Sequence, residues 1–101
     1  MSMFDVEPFK PRIAELCRRS KVCRLDLIGP AACGDCPGES EIDVLVHFQH
    51  DEGELFNRFF DLKEGLERVL GRMVDVTVEE TVRNPDLWES IEESRKTIYA
   101  A

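Results

Sequence analysis

The sequence has no apolar run near the roughly 20 residues that a membrane-spanning helix needs. Its first eight residues, Met-Ser-Met-Phe-Asp-Val-Glu-Pro, carry acids where a secretory signal has a basic patch and an apolar stretch. Internal repeats and low-complexity tracts are also missing. We therefore expect a cytoplasmic protein that does not enter a membrane, and the 101 residues predict one domain, 1–101, with a single core.

Basic residues are scarce, since 13 Lys and Arg stand against 21 Asp and Glu, a net charge of −8. The deficit is uneven: residues 1–28 carry six basic and four acidic residues, whereas residues 29–101 carry seven and seventeen. An acidic surface repels phosphate backbones, so direct nucleic-acid binding is disfavoured. Such acids can hold divalent cations, dock a basic protein, or only keep the protein in solution.

Cysteines are few as well: Cys17, Cys23, Cys33 and Cys36. Because nothing indicates export, we expect reduced thiols rather than disulfides. Cys33-Gly-Asp-Cys36 could be a redox pair, or half of a zinc site completed by His47 and His50. A thioredoxin-like motif opens a helix, however, and Pro37-Gly38 follows at once. Plain loop thiols are therefore the preferred interpretation.

The N-terminal half predicts one helix, two strands and a loop. Two prolines suit the start of a helix over about residues 8–20. Residues 22–28 alternate in polarity and predict a strand, and residues 42–48 predict a second, more apolar and central strand. Three glycines and two prolines between them predict a loop over 29–39.

A second helix is predicted from Leu55 to Leu70, where apolar residues recur at helical spacing. Asp51 and Glu54 resemble a capping box before it, and Gly71 suits a left-handed residue after it. Its three phenylalanines are expected in the core: Phe56, Phe59 and Phe60.

The C-terminal third predicts a strand and a last helix. Residues 72–78 are rich in valine and predict the strand. Asn84-Pro85 suits a helix start, and the apolar side of that helix would carry Leu87, Trp88, Ile91, Ile98 and Tyr99. The order α-β-β-α-β-α predicts an α+β fold, a small mixed sheet with helices packed on it.

The clearest chemical signal lies where the loop meets the second strand. Glu41 and Asp43 are two residues apart on a strand, so their side chains share a face. Neighbouring carboxylates repel each other unless a cation lies between them, and such oxygen ligands suit Mg²⁺ beside substrate phosphates. The glycine-rich loop would let backbone N–H groups approach those phosphates. If the third strand neighbours the second, Asp75 completes a cluster of three carboxylates.

These residues resemble the nucleotidyltransferase superfamily typified by DNA polymerase beta, most closely its minimal nucleotidyltransferase branch. The family signature is G-S-x-x-x-G, five residues, then S-D-x-D-x-x-V, with a third Asp on a later strand. Without a gap, the chain matches it at Gly29, Gly34, Ser40, Asp43 and Val46. Asp75 falls at the third acidic position, and the order of elements and the length of the chain also fit.

The resemblance implies an enzyme that transfers AMP from ATP to an acceptor hydroxyl with Mg²⁺ or Mn²⁺. Glu41 and Asp43 would hold the metal on the triphosphate, and Asp43 with Asp75 the metal that activates the acceptor. The nucleotide would be contacted by Gly29, Pro30, Gly34 and Ser40. Minimal members act as antitoxins beside a helical HEPN toxin, so such a toxin is the implied partner. The acceptor would come from that partner or from a second copy in a homo-oligomer.

Two residues depart from the family signature. Pro30 replaces a serine that would bond a phosphate, and proline has neither hydroxyl nor N–H. Glu41 replaces the first Asp, and its extra methylene displaces the carboxylate from the octahedral geometry that Mg²⁺ favours. A non-catalytic relative that binds a HEPN-like protein therefore stays open, as does a small metal or redox protein built on Cys33 and Cys36.

Overall fold

The structure, a computed structural model, describes residues 5–29, 41–49 and 55–101. The helices are α1 (Lys10–Arg19), preceded by a 3-10 turn at Glu7–Phe9, α2 (Leu55–Leu70) and α3 (Pro85–Ser94). The strands are β1 (Val22–Ile28), β2 (Ile42–Phe48), β3 (Val74–Val78), followed by a 3-10 turn at Glu79–Thr81, and β4 (Lys96–Ala100). The predicted α+β class is confirmed. Among the described residues, no helix is both long and apolar enough to cross a membrane.

One mixed sheet organises the fold, with strand order β3-β2-β1-β4. β1 lies antiparallel to both β2 and β4, whereas β2 and β3 are parallel. Parallel neighbours need a crossover connection, which α2 supplies between β2 and β3. The sequence left open whether the third strand neighbours the second, and this pairing answers that question.

The main core lies between one sheet face and the helices α1 and α2. Alternate strand residues point to this face, and they pack on apolar residues spaced three or four apart on the helices. Its fully buried members include Ile13, Cys17, Leu25, Leu27, Val44, Val46, Leu62 and Leu66. The intervening strand residues therefore face the other way, and these include Asp26, Asp43 and His47.

Two predicted helix boundaries are confirmed by local geometry. Gly71 has φ +67° directly after α2, as expected for the left-handed residue that ends a helix. Asn84 accepts a hydrogen bond on Oδ1 from the backbone N–H of Asp86 at 2.9 Å, and Pro85 is the first residue of α3. The predicted capping box of Asp51 and Glu54 lies outside the described residues.

The end of the chain differs from the prediction, because β4 stands where a continued helix was expected. α3 ends at Ser94, Arg95 is extended at φ −63° and ψ 137°, and Lys96–Ala100 pairs with β1. The β-branched and aromatic residues of this segment fit a strand, and pairing satisfies a row of β1 backbone groups. Ile98 is thus a buried core residue of a strand and not of a helix. β3 also starts two residues later than predicted, at Val74.

The prediction that three phenylalanines of α2 are core residues was wrong for two of them. Phe59 packs against the core, but Phe56 is 73% exposed and Phe60 is 43% exposed. With about 100° of rotation per residue, both lie well away from the stripe that Leu62 and Leu66 bury. They instead form an edge-to-face pair, with ring centroids 4.8 Å apart.

Candidate functional site

The site begins where β1 ends beside the start of β2. Antiparallel pairing places Ile28 opposite Asp43, so the next residue, Gly29, approaches the Asp43 side chain. Gly29 has φ +67°, and a Cβ atom there would lie 3.0 Å from Asp43 Oδ2. Both the backbone conformation and the close approach therefore favour glycine at this position.

The three predicted carboxylates come together. Asp43 and Asp75 are directly opposite each other in the parallel β2–β3 pair, and Glu41 lies just before β2. A carboxylate oxygen from each of the three lies within 4.8 Å of the other two. Asp43 is half-buried, whereas Glu41 and Asp75 are exposed, so the cluster is open to a ligand from solvent.

Electrostatic repulsion is concentrated on Asp43. Partial burial raises the pKa of its carboxyl, and the neighbouring Asp75 and Glu41 carboxylates raise it further. A proton or a bound cation relieves this strain, because either one offsets the negative charge held between the two strands. The site is thus prepared for a positive ion, at some cost to the stability of the ion-free protein.

The donor set suits a hard divalent cation. All three ligands are carboxylates, and oxygen donors favour Mg²⁺ and Mn²⁺ over softer metals. Mg²⁺ is commonly held by one or two carboxylates together with substrate phosphates, which an open cluster permits. Glu41, Asp43 and Asp75 are therefore the residues that would hold it.

Three of the predicted nucleotide-binding residues, Pro30, Gly34 and Ser40, lie outside the described residues. The Cys33-x-x-Cys36 pair also lies outside them. Cys17 and Cys23 are in no disulfide with each other, and burial raises the pKa of the Cys17 thiol to about 12. A thiol with so high a pKa is inert, as expected for a core residue.

Sequence reasoning missed an ion-pair network on this sheet face. Asp26 is buried between β2 and β4, and its Oδ2 accepts a hydrogen bond from Arg95 Nε at 2.9 Å. Arg24 Nε donates to Asp26 Oδ1 at 3.2 Å. An acid within an apolar strand was the available signal, but its cationic partner Arg95 lies 69 residues away.

His47, which the sequence offered as a zinc ligand beside Cys33 and Cys36, lies at the far end of the same sheet face. Its Nδ1 lies within ion-pair distance of carboxylates from Glu79 and Glu80, in the turn after β3. The sequence could not indicate this contact, because it depends on the parallel β2–β3 pairing.

A mixed four-stranded sheet with three carboxylates at one end is the arrangement expected of a nucleotidyltransferase, and sequence comparison agrees. Residues 12–98 match the nucleotidyltransferase domain family, and the chain belongs to that family. A Methanocaldococcus jannaschii protein with the provisional name protein adenylyltransferase MJ1379 is 37% identical over 73 residues, 72% of this chain and 73% of that protein. The expected enzyme class, a nucleotidyltransferase, is thereby confirmed.

Solved structures agree with the fold. One that is provisionally identified as a minimal nucleotidyltransferase superposes with a TM-score of 0.78 at 28% identity, covering 95% of each chain. A second is the complex of a tri-AMPylated HEPN toxin from Shewanella oneidensis with its MNT antitoxin. Its TM-score is 0.67 at 17% identity, over 96% of this chain and 74% of that one, a likeness of fold alone.

Proposed function

We propose that this protein transfers AMP from ATP to a hydroxyl group of a partner protein with release of pyrophosphate, and that Glu41, Asp43 and Asp75 hold the Mg²⁺ or Mn²⁺. The observation that carries the proposal is the convergence of these three carboxylates, with ligand oxygens within 4.8 Å of one another. The provisional name of the M. jannaschii relative, a protein adenylyltransferase, supports a protein as the acceptor.

Each residue has a distinct part in this proposal. Asp43, between the other two acids, would contact both metal positions, while Glu41 would complete the triphosphate side and Asp75 the acceptor side. The metal would supply charge stabilisation for the phosphates and a more acidic acceptor hydroxyl. Gly29 leaves room beside Asp43, and Pro30, Gly34 and Ser40 would line the nucleotide phosphates.

The partner we propose is a HEPN-like helical toxin, for which this protein acts as the antitoxin. Support comes from the S. oneidensis complex, in which an MNT antitoxin of the same fold is bound to an AMPylated HEPN toxin. The net charge of −8 also suits a basic, RNA-binding partner. We propose that the acceptor hydroxyl is supplied by that partner or by a second copy of this chain.

The test is incubation with ATP labelled at the α-phosphate, Mg²⁺ or Mn²⁺, and the product of a neighbouring toxin gene. Label should pass to the partner with the wild type, and Asp43→Asn should abolish the transfer. Asp61→Asn is the matched control, because Asp61 is an exposed acid on α2, away from the cluster. Equal labelling by wild type and Asp43→Asn would contradict the assignment.

A non-catalytic antitoxin is the second candidate, favoured by the replacement of the family's serine and aspartate by Pro30 and Glu41. The two functions differ in nucleotide dependence, since a pure binding protein needs no ATP to form its complex. Toxin binding by wild type and Asp43→Asn alike, without label transfer from either, would favour this alternative.

A further inference from the structure

A second group of metal-ligand residues lies on the sheet face that carries the three carboxylates. His47 follows Asp43 by four residues along β2, and Glu79 is the residue directly after the paired strand β3, which ends at Val78. Strand alternation puts His47 on this face, about 13 Å along β2 from Asp43, and the Glu79 carboxylate contacts it there. Glu80, the next residue in the turn after β3, completes the group.

The histidine nitrogen lies between the two glutamates. His47 Nδ1 is 3.0 Å from Glu79 Oε2 and also contacts Glu80 Oε1. Although about a third of the ring is exposed, Nδ1 itself is shielded from solvent and makes no hydrogen bond within the described structure. A polar nitrogen in this position, close to two carboxylates but aligned with neither, has an unsatisfied bonding direction.

These separations are close to those among the ligands of one metal ion. Zinc is bound by histidine nitrogen and carboxylate oxygen at about 2.0–2.2 Å, which brings neighbouring ligand atoms to about 3–3.5 Å. The three groups here lie within 4.8 Å of one another, with the closest pairs nearer than that. Small rotations of the two glutamate side chains would suffice to place all three ligands around an ion.

The surrounding charges leave this group acidic. Arg95 Nη2 reaches Glu79 Oε1 at 3.4 Å, but the guanidinium is bonded more closely to Asp26 and Glu92. Arg24, opposite His47 on β1, donates to Asp26 and to Thr97. Arg24 is thus directed to other acceptors and Arg95 only in part to Glu79, so a cation beside His47 would still be attracted by the Glu79 and Glu80 carboxylates.

We propose that His47, Glu79 and Glu80 form a zinc site, distinct from the carboxylate cluster. An imidazole with two carboxylates suits zinc, whereas an all-carboxylate set suits Mg²⁺ or Mn²⁺, so the two ends of one sheet face select different metals. Three protein ligands leave the fourth position of a tetrahedral ion to water. Bound zinc would fix the turn Glu79–Thr81 to the end of β2 and so restrict the motion of the segment that leads into α3.

The test is zinc titration of the full chain by calorimetry, in a Cys33→Ser/Cys36→Ser background that removes the competing thiol pair. In that background Glu80→Gln should weaken zinc binding by at least about tenfold, since even residues that only orient a ligand contribute about 10–100-fold. Glu89→Gln is the matched control, because Glu89 is an exposed glutamate on α3. His47→Gln should weaken binding as Glu80→Gln does, with unchanged circular dichroism.

Zinc binding should also survive Asp43→Asn, which removes a ligand of the other cluster. Equal zinc affinity in the reference, Glu80→Gln and His47→Gln proteins would overturn the proposal. So would a loss of zinc binding in Asp43→Asn, which would place the ion in the carboxylate cluster. No zinc binding at all would overturn it as well. None of these outcomes depends on adenylyl transfer.

Discussion

Asp43 lowers the stability of the metal-free protein but provides a ligand for a cation, because its carboxylate is held beside two others at the edge of the core. We expect Asp43→Asn to leave the melting temperature of the metal-free protein unchanged or higher, since one like charge is removed from the cluster. Thermal unfolding in the presence of a chelator measures this. A clear fall in melting temperature would mean that Asp43 supports the fold and would contradict its role as a strained ligand.

The same residue predicts a pH dependence. A raised pKa means that the folded state of the metal-free protein binds the Asp43 proton more tightly than the unfolded state does. Wild type should therefore gain stability relative to Asp43→Asn as pH falls through that raised pKa towards the ordinary value of 3.8. Urea unfolding of both proteins across this range gives the difference. If the difference in unfolding free energy between wild type and Asp43→Asn stays constant with pH, the pKa of Asp43 is not raised in the folded protein.

Restoring the family residues at Pro30 and Glu41 should improve nucleotide binding. We expect Pro30→Ser with Glu41→Asp to bind ATP more tightly than wild type, because a serine bond to a charged phosphate contributes roughly 1.5–3 kcal/mol. Loss of proline could cost up to about 1 kcal/mol of folding stability, which a separate unfolding experiment detects. Calorimetry with Mg²⁺–ATP is the measurement, and Glu41→Asp alone separates the two effects. No gain in either variant would show that these departures do not limit the site.

At the scale of the elements, the last segment shows what sequence periodicity can and cannot determine. Asn84, Pro85 and Gly71 mark element ends through local chemistry, and each was predicted. β4 was not, because its strand state depends on an edge of β1 far away in the sequence. The exposure of Phe56 and Phe60 was missed for a similar reason. The spacing of apolar residues predicts an apolar stripe along α2, but packing against the sheet determines how much of that stripe is buried.

Substitution of two apolar residues tests whether the last segment is the strand β4 or a continued helix. The sequence predicted that both residues lie on the same side of that helix. Ile98 is 8% exposed in the sheet, whereas Leu87 is 47% exposed on α3. Ile98→Ala should lower the free energy of unfolding by about 2–5 kcal/mol. Leu87→Ala should change it by no more than about 0.5 kcal/mol, as is usual for exposed positions. Similar losses from both substitutions would favour a helix through residue 98.

For the molecule as a whole, ligand binding and folding are linked. A ligand that binds only the folded state adds RT ln(1 + [L]/Kd), about 2.7 kcal/mol at a hundredfold excess over Kd. Millimolar Mn²⁺–ATP should therefore raise the melting temperature of the wild type. Asp75→Ala should reduce that rise, because it removes one ligand without touching the main core. A wild type that does not respond would support the non-catalytic antitoxin.

The candidate site was more predictable than the whole topology. We could identify Glu41, Asp43 and Asp75 from the sequence for two reasons. Charged residues at strand positions lower stability unless a partner or a ligand offsets their charge, and the spacing of these three resembles a known motif. The three carboxylates come together only because β2 and β3 pair in parallel, and the sequence did not determine that pairing. The His47–Glu79–Glu80 group could not be found at all in this way, since no motif marks it.

The register of β2 against β3 has a consequence for how freely this sequence can change over evolution. Asp43 and Asp75 are cross-strand partners, so their separation follows from the spacing of about 4.8 Å between hydrogen-bonded strands. Backbone bonding maintains that spacing whichever apolar side chains fill the layer beneath. Substitutions can therefore accumulate across most of the chain while the two acids keep their distance. A relative with 28% identity can thus share nearly the whole fold.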